Sequence, residues 1–414
     1  LISASPLPRR RMAAPPPIDE PLRLPPLPAD TILEILSRVG DATAVVRCAA
    51  TCKAWRRLIL EPSFLSRGRA GRSDPSPLLG FFFLDTSQKL PRRRLYLRRP
   101  TRFLPLGPSQ SQATALPLSH FLPKPDAAGL SGFAPVTSGA GGLLALRRSP
   151  ASSCDPVRIC VCDPVAGTST FLPPLPPTTS PENIVFLDAD GSSFRLLAAM
   201  DRPNGIRLRV FSSQTGQWGT AVTAQLPGNM VVHLCSPAVV HRGAVHWICG
   251  TRALPNAVHA LAVRPGQADV SVCRFDLPLR AGIHRLNHAA EAVRLFSSAQ
   301  GCLSLVLLDE PLISVWNFKD NGADGRPWEL HKTVHLMSVL PSTIFDPSAE
   351  WGLSVVASCD QSGSLFLRAV GEGGLFVLNL ETEAMSRVRN DHCAKFLCPY
   401  VANLSSCLGA MKNF

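Results

Sequence analysis

The apolar positions follow two different patterns and divide the chain into two regions. Residues 27–66 carry apolar side chains at spacings of three and four, which predicts short helices. After Gly68 the pattern changes to short apolar runs separated by Gly, Pro and Ser, which predicts strands and turns. We therefore expect an α+β multidomain chain with a three-helix module over residues 24–66, a linker over 67–77 and a large all-β domain over 78–414.

The first predicted helix has one apolar face. Its apolar residues lie at positions i, i+1, i+3, i+4 and i+7, and they are Ile32, Leu33, Ile35, Leu36 and Val39. Thr31 and Glu34 have the spacing of a capping box, so we expect the helix to start there. Gly40 marks its end.

Two further short helices follow in the same module. Asp41 is a good N-cap for the second helix. The apolar face of that helix consists of Val45, Cys48, Ala49 and Cys52. The third helix carries Trp55, Leu58 and Ile59 and stops at Pro62. A module of about forty residues rarely buries enough apolar surface to be stable alone, so we expect a partner to cover the surplus.

The all-β region contains a loose internal repeat. A turn residue followed by an apolar run occurs at Gly80, Gly141, Gly191, Gly243, Gly301 and Gly363. The spacings between these glycines are 61, 50, 52, 58 and 62 residues. Several units continue into a second strand that ends in a turn, over residues 159–175, 209–220, 313–330 and 375–388.

This repeat predicts a β-propeller. Recurring small sheets at periods near 50 are typical of that fold, and the kelch spacing is the closest named one. We expect the apolar run of each unit to be its first strand, buried on both faces. The alternative is a large irregular β-sandwich without a true repeat.

Composition indicates a soluble protein of the cytoplasm, the nucleus or both. Residues 1–23 are rich in Pro and Arg and lack an apolar stretch, so we expect a disordered tail rather than a secretory signal. No window approaches the roughly 18 apolar residues of a spanning helix, so we expect no membrane association. The thirteen cysteines, an odd number in a long chain, fit reduced thiols.

The net charge of +12 raises nucleic acid as a possible partner. Half of that surplus lies in one stretch without acids, at Arg92, Arg93, Arg94, Arg98, Arg99 and Arg102. One hypothesis is therefore a basic propeller scaffold that binds nucleic acid or chromatin through residues 92–102. The other interpretation is a solvated loop after the first domain, which we favour.

Catalytic and metal-binding patterns are weak. His331 and His335 are four residues apart but lack the glutamate of a metalloprotease helix, and Cys160 and Cys162 have strand rather than zinc-site spacing. A propeller enzyme would need clustered carboxylates or metal ligands, which the sequence does not show. We expect no catalytic residue, no metal and no cofactor.

Residues 27–67 resemble the F-box. The matching positions are Leu27-Pro28, Ile35-Leu36-Ser37-Arg38-Val39, Thr51-Cys52-Lys53-Ala54-Trp55 and Phe64-Leu65. Residues 47–57 are similar to the variant in plant, particularly grass, F-box proteins, and residues 241–247 resemble their F-box-associated β domains. Val39 and Gly40 stand where the common pattern has Leu and Pro.

The resemblance implies a substrate-receptor subunit of an SCF-type ubiquitin ligase that performs no bond chemistry itself. The helical module would bind a Skp-type adaptor and, through it, a cullin scaffold, and the β domain would hold an unknown target protein. The implied adaptor-binding residues are Leu27, Pro28, Ile32, Leu33, Ile35, Leu36, Val39, Val45, Cys48, Cys52 and Trp55. Trp55 is the strongest hot-spot candidate because of its large area.

Overall fold

The fold was determined as a computed structural model of the 414-residue chain. The structure describes residues 28–38, 48, 53–61, 64, 78–87, 99–106, 114–122, 129–139, 141–148, 155–176, 183–190, 193–202, 205–226, 230–231, 237–251, 258–264, 272–277, 292–298, 301–309, 311–319, 327–340, 352–360, 362–369, 374–389 and 394–401.

The first half of the β region forms three small antiparallel sheets in chain order. The first contains β1 (Leu78–Asp85), β2 (Thr101–Pro105) and β3 (Leu116–Pro117), followed by a short 3₁₀ turn at Leu118–His120. The second contains β4 (Phe133–Ser138), β5 (Leu144–Arg148), β6 (Arg158–Asp163) and β7 (Thr168–Phe171). The third contains β8 (Asn183–Asp190), β9 (Ser193–Arg202), β10 (Gly205–Ser212), β11 (Gln217–Trp218) and β12 (Val222–Gln225).

The second half repeats this arrangement. The fourth sheet contains β13 (Met230–Val231), β14 (Val239–His241), β15 (Ala244–Thr251), β16 (Val258–Val263) and β17 (Val272–Asp276). The fifth contains β18 (Val293–Ser297), β19 (Leu303–Asp309), β20 (Leu312–Phe318) and β21 (Trp328–His335). The sixth contains β22 (Leu353–Cys359), β23 (Ser364–Ala369), β24 (Gly374–Asn379) and β25 (Met385–Arg389).

The last strand in the described part of the chain, β26 (Ala394–Val401), closes the six sheets into a ring. It returns to the first sheet and pairs antiparallel with β1, from Leu78 opposite Val401 to Asp85 opposite Ala394. The innermost strands β26, β4, β8, β14, β18 and β22 contact one another in that order, and β22 contacts β26 again. The β region is therefore a six-bladed propeller, which confirms the predicted propeller architecture, and its first blade is built from both ends of the domain.

The six sequence units correspond to the six blades, but they begin one strand late. The apolar runs at Gly80, Gly141, Gly191, Gly243, Gly301 and Gly363 form or precede β1, β5, β9, β15, β19 and β23. Each of these is the second strand of its blade rather than the first, so that part of the prediction is wrong. Innermost strands were missed as unit starts because they are less uniformly apolar, as in β22 with its alternating burial.

The second strands are apolar without alternation because both of their faces are covered. In β1, Phe81 and Phe83 pack against the sixth blade, whereas Phe82 packs against the second. Six apolar clusters fill the six spaces between neighbouring blades. A single blade cannot bury both faces, so the stability of the domain depends on a complete ring.

Tight turns join the strands within blades. Gly243, Gly301 and Gly363 follow the innermost strand and have φ values of +75°, +73° and +59°, where a side chain would be strained. In the hairpin after β6, the Asp163 carboxylate accepts hydrogen bonds from the backbone N–H groups of Val165 and Ala166, both at 2.9 Å. The turn chemistry predicted after each second unit strand is therefore confirmed here.

Polar contacts also link neighbouring blades. The Tyr400 hydroxyl donates a buried hydrogen bond of 2.8 Å to the Gly142 carbonyl, which ties β26 to the second blade. The Arg294 guanidinium donates from β18 to the Val355 carbonyl of β22 at 3.0 Å. These bonds satisfy polar groups that ring formation removes from water.

The N-terminal module, residues 28–64 where described, contains α1 (Ala29–Arg38) and α2 (Lys53–Ile59). Helix α1 begins two residues before the predicted cap at Thr31, so that cap position is wrong. The Pro28 carbonyl accepts the first helical bond, from the Ile32 N–H at 3.1 Å. Cys48 is helical, but the rest of the predicted second helix lies outside the described residues. A third helix in the described chain, α3 (Leu336–Val339), follows β21.

Substitution of Gly80 tests the close approach of β1 and β2. A Cβ atom at Gly80 would lie 2.2 Å from the Leu104 carbonyl oxygen, so Gly80→Ala should destabilise the domain by about 1–3 kcal/mol. Gly129→Ala is the matched control, because its Cβ atom would meet Phe171 at an ordinary 3.5 Å. Urea unfolding of both variants gives the free energies, and equal stability of the two would contradict this packing.

Candidate functional site

Among the described residues of the N-terminal module, two side chains are fully buried. Leu36 on α1 is 1% exposed and Ile59 on α2 is 0% exposed. The half-buried residues that pack against them all belong to the same module, and they are Ile32, Cys48, Trp55, Leu60 and Phe64. The module therefore has its own small core, distinct from the six clusters of the propeller.

The predicted adaptor-binding residues occupy different depths in this module. Ile35 is 49% exposed, and Pro28 is also exposed. Leu33 is half-buried, as are Ile32, Cys48 and Trp55, whereas Leu36 lies in the core. Leu27, Val39, Val45 and Cys52 lie outside the described residues. The structure thus separates Ile35, whose apolar surface is uncovered, from Leu36, whose burial stabilises the module.

Charged groups border the uncovered face of α1. The Arg38 guanidinium donates to the Glu34 carboxylate at 2.8 Å, and both side chains are exposed. Such a pair contributes little to stability because water and salt screen it. Ile35 follows Glu34 in the sequence. Its side chain has no polar group, so its exposed surface is entirely apolar.

The arginine stretch is partly integrated into the propeller. Arg99 is buried, at 8% exposure. Arg102 on β2 pairs with Asp85 on β1 at 2.8 Å. Arg92, Arg93, Arg94 and Arg98 lie outside the described residues. The nucleic-acid hypothesis therefore stays a prediction that depends on those four side chains.

A second candidate site is a cavity at the centre of the ring, which we call the axial cavity. The innermost strands of the blades form its walls. It has a volume of about 320 Å³. All six blades contribute lining residues, including Ser138, Asp188, Val239, Leu295, Asp360 and Cys398. Five of these residues lie on innermost strands, and Asp360 directly follows one.

Asp360 is the polar group that distinguishes this cavity. It follows β22 directly, and protein surrounds it while part of its surface stays open to the cavity. Removal from bulk water raises the pKa of Asp360 from 3.8 to about 7, and a hydrogen bond from the Ser297 backbone partly opposes that rise. Asp360 was missed in the sequence because no motif marks it, and only ring closure places it on the axis.

Two buried thiols, Cys398 on the innermost strand β26 and Cys162 on β6, are protonated at neutral pH. Burial raises the pKa of Cys398 to about 12, and its hydrogen bond with Ser138 opposes this shift. Burial also raises the pKa of Cys162 well above its usual value, with Cys160 and Asp163 adding to the rise. No disulfide joins any of the seven cysteines that the structure describes. These thiols therefore act as small apolar groups.

The described parts of the chain contain no group of three His, Cys, Asp or Glu side chains arranged to hold a metal. Within the same residues, no helix is long and apolar enough to cross a membrane. His331 and His335 are both exposed. They lie on β21, which is the outermost strand of its blade and far from the ring axis.

An exposed aromatic residue lies near the N-terminal end of β26. Phe396 is 51% exposed and has φ of +53°, a conformation that is strained for a bulky side chain. It lies in a bulge where the pairing of β26 with β1 shifts register. Strained residues of this kind are common at functional sites.

The fold and the N-terminal module together define an F-box-like protein with a β-propeller. The F-box-like family matches residues 24–67. The chain belongs to the family described as Domain of unknown function (DUF7595), which matches residues 107–414, about three quarters of the chain. That match begins after β2, although β26 needs β1 to close the ring. No curated protein matches the chain.

Several solved structures are distantly similar to this chain. A quinonprotein alcohol dehydrogenase-like protein from Bacteroides thetaiotaomicron is 10% identical, with 79% of each chain covered and a TM-score of 0.42. A nidogen/laminin complex is 11% identical, with 78% of this chain and 99% of that chain covered and a TM-score of 0.40.

The AtxE2 isopeptidase is 12% identical, with 77% of this chain covered and a TM-score of 0.32. The chain spans about half the length of that isopeptidase, 54% of it. Similarity at these TM-scores carries no functional assignment.

The pKa of Asp360 predicts how stability changes with pH. Unfolding releases the Asp360 proton between pH 3.8 and about 7, so this residue lowers the free energy of unfolding as pH rises through that window. Asp360→Asn should therefore be more stable than the unchanged protein at pH 8, by about 1–3 kcal/mol. The gain should vanish below pH 4.

Urea unfolding at several pH values between 4 and 8 measures this difference. Asp309→Asn removes an exposed carboxylate on β19 and is the matched control. A constant difference between the Asp360 variant and the unchanged protein would contradict the raised pKa.

Proposed function

We propose that this protein is the substrate receptor of an SCF-type ubiquitin ligase. The N-terminal module binds a Skp-type adaptor and, through it, a cullin scaffold, and the propeller binds a target protein. The observation that carries the proposal is an F-box-like module whose helix α1 exposes Ile35 one residue before the buried Leu36. Ile35 is apolar surface that a docking partner would cover.

The small size of the module explains why binding and folding depend on each other. A module of about forty residues buries little of the apolar surface that a folded domain needs for its stability. An adaptor that covers Ile35, Pro28 and the half-buried Leu33 would add apolar burial to the same helix. Leu36, in contrast, would support binding indirectly by keeping α1 in place.

The propeller supplies a rigid platform rather than chemistry. A receptor of this kind raises the local concentration of target lysines near the conjugating enzyme, and it forms no bond itself. Phe396 is a candidate target contact, since aromatic side chains at the centre of an interface contribute most of the binding energy. Lys395, the residue before Phe396 on β26, is also exposed.

Finer assignments belong to the same proposal. The unit spacings of 50–62 residues support a kelch-like repeat class. The motif over residues 47–57 supports a plant origin. Free thiols in the described residues fit action in the cytoplasm or nucleus.

Replacement of Ile35 tests the adaptor contact. Ile35→Glu should weaken binding of a purified Skp-type adaptor at least about tenfold, because it places a charge where apolar surface must dock. Its exposed position predicts a change in the free energy of unfolding within about 0.5 kcal/mol. Titration calorimetry and urea unfolding measure the two effects separately.

Two matched variants define the outcome. Val222→Glu places the same charge at a 37% exposed valine of the propeller and should leave adaptor binding unchanged. Leu36→Ala should destabilise the module by about 2–5 kcal/mol and weaken binding through unfolding. Full adaptor binding by a folded Ile35→Glu protein would contradict the proposal.

A further inference from the structure

The axial cavity has the size and walls of a site for a small ligand. Its volume of about 320 Å³ lies at the lower end of the range for ligand pockets, so it fits a short molecule or one long side chain. The walls are mostly aliphatic, with Val136, Val185, Val239 and Leu295 contributed by four different blades. A ligand with an aliphatic body would replace water against these side chains.

The charges in the walls have one sign. The described lining residues include the carboxylic acids Asp188 and Asp360 but no Lys, Arg or His. Asp188 already has a cationic partner, because the Arg195 guanidinium donates to its carboxylate at 2.7 Å in a half-exposed pair. Asp360 accepts a hydrogen bond from the Ser297 backbone, and the described walls offer it no cation.

The position of Asp360 lowers the stability of the protein. A carboxylate that is held away from bulk water without a cation loses hydration that one backbone hydrogen bond does not replace. Costs of this kind are common where a group serves binding rather than folding. A bound cation would restore the lost stabilisation.

A metal ion fits these walls poorly. The nearby cysteines, Cys359 and Cys398, belong to the cavity walls, but the raised pKa of Cys398 keeps its thiol protonated and unsuited to a metal. The described residues also form no cluster of three possible ligands. One carboxylate among aliphatic walls matches an organic cation with one charge.

We propose that the axial cavity binds a small organic cation, an ammonium group on a short aliphatic chain, with its charge at Asp360 and its chain against the valine walls. The proposal concerns the propeller alone and does not depend on adaptor binding. The same chemistry has two sources, a free amine or a lysine side chain of a bound protein.

Saturation-transfer NMR on the full chain tests this site with matched probes. n-Pentylamine should bind, and n-pentanol, which lacks the charge, should bind at least about tenfold more weakly. Nα-acetyl-lysine amide and Nα-acetyl-norleucine amide form a second pair. Binding of n-pentylamine alone identifies a free amine as the ligand, and equal or stronger binding of the lysine amide identifies a protein side chain.

Two aspartate variants locate the charge. Asp360→Asn should reduce n-pentylamine binding about tenfold, because a neutral amide replaces the carboxylate. Asp309→Asn, exposed and outside the cavity, is the control and should bind as the unchanged protein does. Urea unfolding of each variant confirms that both are folded.

The pH dependence gives an independent readout. n-Pentylamine stays protonated below pH 10, whereas Asp360 has a pKa of about 7, so binding should strengthen between pH 6 and pH 8. The other ionisable groups near the site are Cys359 and Cys398, Asp188 with its Arg195 partner, and Arg294, which donates to the Val355 carbonyl. Equal binding of amine and alcohol, or unchanged amine binding by Asp360→Asn, would overturn the proposal.

Discussion

Burial of each second strand on both faces is the constraint on which the whole propeller depends. Phe81, Phe82 and Phe83 show it most clearly, because consecutive side chains of β1 pack against opposite neighbouring blades. No blade can satisfy this requirement alone, so the six apolar clusters form only when the ring is complete. The pairing of β26 with β1 completes it and places both ends of the domain in one blade.

The same closure creates the axial cavity. Residues that are far apart in sequence, such as Ser138 and Cys398, come together only because the innermost strands meet around one axis. Asp360 is placed there at a cost in stability, in contrast to the buried apolar residues of the blades. The N-terminal module differs, since its described helix α1 leaves the apolar side chain of Ile35 half exposed. The propeller thus closes its own core, whereas the proposed adaptor would add apolar burial to the N-terminal module.

Local patterns predicted the elements of the fold well. The unbroken apolar runs at β19 and β23 identified buried strands, because a strand that is covered on both faces needs apolar residues at consecutive positions. Each of the six sequence units corresponds to one blade for the same reason, although the number of blades was not predicted. The predicted starting strand of each unit was wrong, because an innermost strand such as β22 alternates in burial and therefore gives a weaker sequence signal. The start of α1 was missed because Pro28 supplies the first acceptor without a side-chain cap.

The candidate sites were predicted less completely. The F-box pattern identified the right segment, but it could not separate Ile35 from Leu36, since neighbouring apolar residues on a helix differ in exposure only after packing. No local sequence pattern identifies Asp360 as a site residue, because residues from all six blades form the cavity around it.

Hydrogen–deuterium exchange of the full chain with and without a purified Skp-type adaptor tests the central claim most directly. The account predicts strong new protection within residues 29–38 of α1 and unchanged exchange in the blade strands. Protection confined to the propeller, or no change at α1 under saturating adaptor, would contradict it.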